Sequence, residues 1–461
     1  MSQKTELVKR KRKYEIDMCS GSILKKMLLF TIPLIFSSIL QLLFNAADIV
    51  VVGRFAGDNA LSAVGCTSSL INLLTNVFIG LSVGSNVLVA RQFAAKEAED
   101  VSKAVHTSIL LSLILGIILT VIGIIVAPVI LSWMNTPDEV LKLASLYLRI
   151  YFIGMTATML YNFGSAILRA IGDTRRPLIY LIIAGVINVC LNLFFVIVVK
   201  IGVAGVAIAT AVSQCISAVL VIRCLITDTG LIKLHFNRLK IHKDVLIKIL
   251  KIGLPAGFQG TLFSLSNVVI QSSVNSFGEI VIAGNTIASN LEGFVYVSMN
   301  AFHQAAISFV GQNVGAGQYK RINRIMFTAL GCVTVVGLIL GFSATLFGEP
   351  LLGLYSKSDA AIAAGMVRLE YICTVYFMCG IMDVMVGVLR GLGSSIMPMI
   401  VSLIGACGFR LLWIATVFQI EQFHRIETVY ISYIISWILT AAAHFICFII
   451  LRRVLKKNWG V

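Results

Sequence analysis

Apolar residues run along this chain in long blocks, and charged residues gather at the ends of those blocks. About 20 apolar residues cross a bilayer as an α-helix. Twelve segments meet that length: 25–52, 62–91, 104–132, 140–169, 177–200, 203–226, 248–276, 281–311, 322–348, 361–390, 396–419 and 428–451. None alternates apolar and polar residues at every second position, so the pattern is not that of a membrane β-barrel. Several segments exceed 25 residues, which predicts tilt, kinks or extension beyond the bilayer. The expected fold class is all-α integral membrane, with twelve transmembrane helices.

Composition sharpens this picture. Of the 461 residues, 58% are hydrophobic and 13% are charged, whereas a soluble domain carries about 25% charged residues. The net charge of +16 would suggest nucleic acid in a soluble protein. Here the charge sits at segment ends, so membrane lipid is the expected anionic partner and nucleic acid is not. The densest cluster is KRKRK at Lys9–Lys13, read as a solvated anchor. With both termini cytoplasmic, 29 of the 37 Lys and Arg residues fall on the cytoplasmic side, as the positive-inside rule requires. The ten cysteines are scattered and form no CxxC. They read as small apolar packers, with no metal site or disulfide framework. The first apolar segment is too long for a signal-peptide core and is expected to stay as a helix.

The chain repeats itself. ILRAIGDTRRP at Ile167–Pro177 matches VLRGLGSSIMP at Val388–Pro398 with an offset of 221. Pro33, Asn45 and Phe55 fall on Pro255, Asn267 and Phe277 at an offset of 222, and Gln92 on Gln312 at 220. The organisation read from this is a basic N-terminus (1–24), an N-lobe of six spans (25–226), a basic interlobe loop (227–247), a C-lobe of six spans (248–452) and a basic tail (453–461). An even number of spans gives both halves one orientation. That is the parallel repeat of some secondary transporters, with a substrate path between the halves.

Depth along the spans groups four polar residues, at about 1.5 Å of rise per residue. The first span ends near Val52, which leaves Asp48 roughly 6 Å below that end. Asn192 of the fifth span lies about 12 Å deep, and Asn188 one turn deeper on the same face. Thr210 of the sixth span lies about 10 Å deep. An acid inside a membrane span is a functional candidate by default. Removing a carboxyl group from water disfavours its ionised form, so Asp48 is a candidate to load and release a proton. The two asparagines can also serve simply as interhelical glue. Pro33 lies 15 residues before Asp48 and predicts a kink. Protonating Asp48 is expected to let the first helix bend there.

Several stretches also carry a resemblance. PLIFSSILQLLFNAADIVVVGRFAG with the ALSAVG after it, ILRAIGDTRRP, GVAGVAIATAVSQ, NLEGFVYVSMNAFHQAAISFVGQNVGAGQYKR and VLRGLGSSIMP resemble the multidrug and toxic compound extrusion (MATE) transporters across nearly all of residues 25–452. The resemblance implies two pseudo-symmetric six-helix lobes arranged as a V. It further implies a cell-membrane antiporter working by alternating access, which exports small amphipathic, often cationic compounds against inward flow of protons or sodium ions. No cofactor beyond the coupling ion and no partner chain is expected. Asp48, Asn188 and Thr210 match the family's cation or proton site in the N-lobe. Asn192 departs from the family pattern NxxLD, since the stretch here reads NVCLN. One of two carboxylates is thereby lost, which shifts weight from sodium toward proton coupling.

In the second half, Glu292, Asp383 and Arg410 fall inside spans, and Asn267 repeats Asn45. These four form a possible C-lobe polar site. Glu292 at about 16 Å and Arg410 at about 14 Å are expected to pair, with Asp383 nearer the inner end. Their role is equally compatible with structure, because neither charge is stable alone in hydrocarbon. The acid-bearing C-lobe mechanism of some relatives transfers poorly, because GFQGTLFSLSN in the seventh span has no acid. A flippase of lipid-linked substrates is the alternative function; it is expected to line its cavity with several arginines, and only Arg410 reads as clearly buried. A membrane enzyme is not expected, because no HExxH, P-loop or GxSxG is present.

Overall fold

The computed structural model describes residues 14–133 and 138–459. The basic run Lys9–Lys13 lies outside the described residues. No strand occurs among the described residues. The first half consists of α1 (Ile23–Phe55), α2 (Asp58–Ala94), α3 (Ala98–Trp133), α4 (Asp138–Ile153), α5 (Met155–Ala170), α6 (Arg175–Leu193) and α7 (Gly202–Thr227). The second consists of α8 (Lys243–Asn275), α9 (Glu279–Gly315), α10 (Arg321–Leu346), the short α11 (Gly348–Gly353), α12 (Asp359–Ile372), α13 (Phe377–Gly391), α14 (Ile396–Ser402), α15 (Phe409–Ala415) and α16 (Ile426–Trp459). Among the described residues, ten helical stretches are long and apolar enough to cross a membrane, or up to twelve when each of two bent pairs is taken as one span.

The bent pairs refine the sequence reading. The predicted spans 140–169 and 361–390 are each broken, by 46° between α4 and α5 and by 47° before α13. The first break falls at Gly154, which lies against Ala211 of α7. The second follows a tight 3-10 turn at Cys373–Val375, a common way to redirect a helix. The interlobe connection is also shorter than predicted: α8 begins at Lys243, five residues before the expected span.

Packing divides the chain into two compact units. The first contains Phe36–Gly257, Gly315–Gly317 and the described residues up to Cys19. The second contains Ser20–Ile35, Phe258–Val314 and Gln318 onward. In both α1 and α8 the change of unit falls two residues beyond a proline, Pro33 and Pro255. Proline leaves one carbonyl of the helix without its amide partner, so the helix can turn its two halves toward different neighbours. Both helices nevertheless run unbroken through the proline.

Within the first unit, α2 and the first half of α8 meet through small residues. Gly80 and Gly84 face Gly253 and Gly257, and a Cβ on Gly84 would overlap the Ile249 carbonyl. Small-xxx-small spacing on both helices lets backbones approach closely where no hydrophobic force joins helices in lipid. Leu81, Leu88, Ile249 and Phe163 belong to the apolar cluster beside this contact. Large apolar residues such as Phe36, Val50, Ile125 and Ile339 remain exposed. That is the expected surface of helices bathed in hydrocarbon, where only the backbone must be satisfied internally.

Candidate functional site

The four polar residues singled out in the first half come together. The Asn192 amide nitrogen on α6 donates to Oδ1 of Asp48 on α1. The same nitrogen donates to Oδ1 of Asn188, one turn away, at 3.2 Å. Asn188 in turn donates to the Thr210 hydroxyl of α7 at 3.4 Å. Thr210 donates to its own helix at the Val206 carbonyl, 3.0 Å away, and its side chain also reaches Asp48. A continuous hydrogen-bonded chain thus links α1, α6 and α7. Asn188 and Asn192 are 5% and 1% exposed. Tyr147 and Tyr151 of α4 stack at 6.0 Å and stand close to the carboxylate.

Local sequence explains the approach. Gly185, Asn188 and Asn192 lie three and four residues apart on α6, which places them on one face. A Cβ on Gly185 would overlap the ring of Phe44, and Phe44 lies one turn before Asp48 on α1. The glycine therefore admits the ring, and the ring contact sets the distance at which Asp48 meets Asn192. Immediately after Asn192 the helix widens into a π-helical turn at Phe194–Val198, a feature frequent at functional sites. The Oδ1 atom of Asn192 is buried and has no hydrogen-bond partner among the described residues. A buried acceptor left without a partner is rare in native structures, and this one belongs to the side chain that bonds the Asp48 carboxylate. Pro33 is buried in the second unit, on the same helix as Asp48.

The second half does not assemble its four candidates as expected. Glu292 of α9 pairs with Arg368 of α12, through Nε at 3.0 Å and Nη2 at 2.7 Å. Arg368 also donates to Asn285 at 2.6 Å, and Asn285 accepts from Tyr430 at 3.3 Å and donates to Gln271 at 3.0 Å. The expected Glu292–Arg410 pair is therefore wrong. The partner is Arg368, whose position seven residues into the predicted span 361–390 marks it in the sequence as a second buried cation of this half. Arg410 bonds instead to Ser436 at 2.7 Å and lies over the rings of Tyr433 and Trp437. The Asp383 side chain is bonded to Tyr296, while its backbone carbonyl lies 2.6 Å from Nδ1 of His303. Asn267 is exposed. Among the described residues Glu292, Asp383 and Arg410 thus each bond to a different partner and not to one another.

Arg410 is also not alone in burial. Arg368 and Arg390 are equally enclosed, and Arg390 donates to Gln259 at 2.9 Å. Arg390 stands at the end of the predicted span 361–390, yet the packing of α13 covers it.

Comparison with known proteins follows the same halves. A family model described as MatE matches residues 33–194 and again 255–415. A probable multidrug resistance protein, YpnP of Bacillus subtilis (strain 168), is 29% identical over 388 residues, covering 84% of this chain and 87% of that protein. The probable multidrug resistance protein NorM of Thermotoga maritima is 24% identical over 399 residues, covering 84% of each chain. A solved structure described as the outward-facing conformation of a multidrug resistance MATE family transporter superposes with a TM-score of 0.90 at 21% identity, over 97% of this chain and 100% of that one. With two tandem matches that span most of both halves, the chain belongs to the MatE family, the multidrug and toxic compound extrusion transporters.

Proposed function

We propose that this chain is a secondary antiporter of the cell membrane that exports small amphipathic cations by alternating access, driven by protons entering at Asp48. Both termini lie on the cytoplasmic side in this reading, as the Lys and Arg distribution favours. The observation that carries the proposal is the bond between Asp48 and Asn192 beside the unpartnered Oδ1 of Asn192. An ionised carboxylate needs a donor, and the amide nitrogen supplies one. A protonated carboxyl needs an acceptor, and half a turn of the same amide supplies Oδ1. Loading a proton therefore reverses the bond between α1 and α6. Asn188 and Thr210 can follow, because each side chain has both a donor and an acceptor. The change reaches α7 without moving a charge through hydrocarbon.

A single carboxylate among neutral oxygens favours the proton over sodium, which gains more from a second negative ligand. The relatives named for multidrug resistance support efflux as the direction of transport. The test is ethidium efflux from cells or inverted vesicles, with pH and sodium gradients imposed separately. Efflux driven by the pH gradient and abolished by Asp48→Asn is expected. Full efflux by a normally expressed Asp48→Asn protein, or strict dependence on sodium, refutes proton entry at Asp48.

A further inference from the structure

We propose that Arg410 is the centre of an anion-accepting subsite in the second half, built to take the carboxylate of an aromatic amphiphile. Arg410 lies 14 residues after the start and nine before the end of the stretch Ile396–Gln419, deep within a membrane span. It is 7% exposed. Its Nε donates to the Ser436 hydroxyl at 2.7 Å, and that hydroxyl is spent on the Tyr433 carbonyl, also at 2.7 Å. Neither Nη1 nor Nη2 has a partner among the described residues, and no described carboxylate lies within 4.0 Å. The nearby acids are engaged elsewhere, Glu292 by Arg368 and Asp383 by Tyr296.

Arg368 in the same half shows what a satisfied buried guanidinium looks like. It spends Nε, Nη1 and Nη2 on Glu292 and Asn285. A charge buried without such partners is costly in hydrocarbon and marks a ligand path or a missing counter-charge. The guanidinium of Arg410 is also held in place. Its face lies 4.2 Å from the Tyr433 ring centroid and 5.7 Å from that of Trp437. Stacked on one face and tied at Nε, it presents the Nη edge, which matches a carboxylate bidentately. Tyr376, with its ring 5.3 Å from Trp437, extends the aromatic wall, so the carboxylate's carrier is expected to be aromatic or otherwise apolar.

Two further observations point the same way. A π-helical turn at Leu403–Gly408 ends two residues before Arg410, and such turns concentrate at functional sites. The repeat also places Arg410 in the span equivalent to the one that carries Asn188 and Asn192. At an offset of 221, Arg410 corresponds to Val189, the residue after Asn188. The span that carries amides toward a carboxylate in the first half carries a cation in the second. The subsite would let the protein recognise zwitterionic or anionic aromatic compounds, beyond the cations proposed above.

The test is equilibrium dialysis of the full chain in phosphatidylcholine nanodiscs, with empty nanodiscs subtracting lipid partition. The probes are 2-naphthylacetate and its neutral counterpart 2-naphthylacetamide. The wild type is expected to bind the acid at least ten-fold more tightly than the amide. Arg410→Gln is expected to abolish that preference, and Arg410→Lys, which keeps the charge but loses the fork, to reduce it. Equal binding of the two probes by the wild type overturns the proposal whether or not the variants fold. Persistence of the preference in a folded Arg410→Gln protein overturns it as well. Binding is read without transport, so the result is independent of proton coupling.

Discussion

Phe44 sits in the space that a side chain at Gly185 would occupy, and this contact between α1 and α6 lies one turn from the bond between Asp48 and Asn192. The carboxylate and the amide are 144 residues apart in the chain. Their meeting rests on how closely two helices approach at one glycine. Substituting Gly185 by Val is therefore expected to push Phe44 aside at an overpacking cost of about 1–3 kcal/mol. Efflux driven by a pH gradient should fall far more than the protein's thermal stability. A Gly185→Val protein with wild-type efflux would show that the contact does not position Asp48.

Asn192 departs from the pattern NxxLD that the resemblance implies, with NVCLN in its place. Asn192→Asp would add a second carboxylate next to Asp48 and Asn188. The expected outcome is a gain of sodium-stimulated efflux at constant pH, relative to wild type. The measurement is ethidium efflux from vesicles with an imposed sodium gradient, with potassium as the control. Unchanged indifference to sodium would mean that the neutral residue is not what sets ion choice.

The ion pair of Arg368 and Glu292 is buried and shared with Asn285. Removing one member leaves a buried charge unpaired, which costs about 3–5 kcal/mol, whereas replacing both by apolar residues is often nearly neutral. Arg368→Met is expected to lower the melting temperature in detergent markedly. The double variant Arg368→Met with Glu292→Leu should recover most of the loss. If the double variant is as unstable as the single one, the pair contributes through more than mutual neutralisation.

Asp173, fully buried, accepts from the backbone amides of Arg175 at 3.2 Å and Arg176 at 3.1 Å, and pairs with the Arg176 side chain. These amides open α6 and have no partner within the helix. Asp173→Ala is expected to cost about 1–2 kcal/mol of stability, in the range of lost helix caps. Thermal unfolding followed by circular dichroism checks it, with Asp173→Asn recovering part of the loss because its carbonyl can still accept.

Gly84 meets the backbone of α8 with no room for a Cβ. Gly84→Leu is expected to separate α2 from the first half of α8 and to destabilise the first unit by a few kcal/mol, about the cost of severe overpacking. Loss of folded protein on size-exclusion chromatography would register it. A monodisperse Gly84→Leu protein with unchanged melting temperature would mean that the close approach is not needed.

Much of this protein was legible from the chain alone. Long apolar blocks allow only one satisfied backbone in a bilayer, the helix, and so the helical spans and the twofold repeat could be read directly, while several bounds shifted by a few residues and two spans are broken. Asp48, Asn188, Asn192 and Thr210 could be grouped because helical rise converts sequence position into depth, and depth is what neighbouring spans share. Depth says nothing about azimuth, however. That is why Glu292 was assigned to Arg410 at a matching height, when rotation of the helices turns it to Arg368 instead. The bends at Gly154 and before Phe377 and the closeness of α1 to α6 were likewise beyond one-dimensional reading. Each depends on which side chains fill the space between helices, and only the packed tertiary structure decides that.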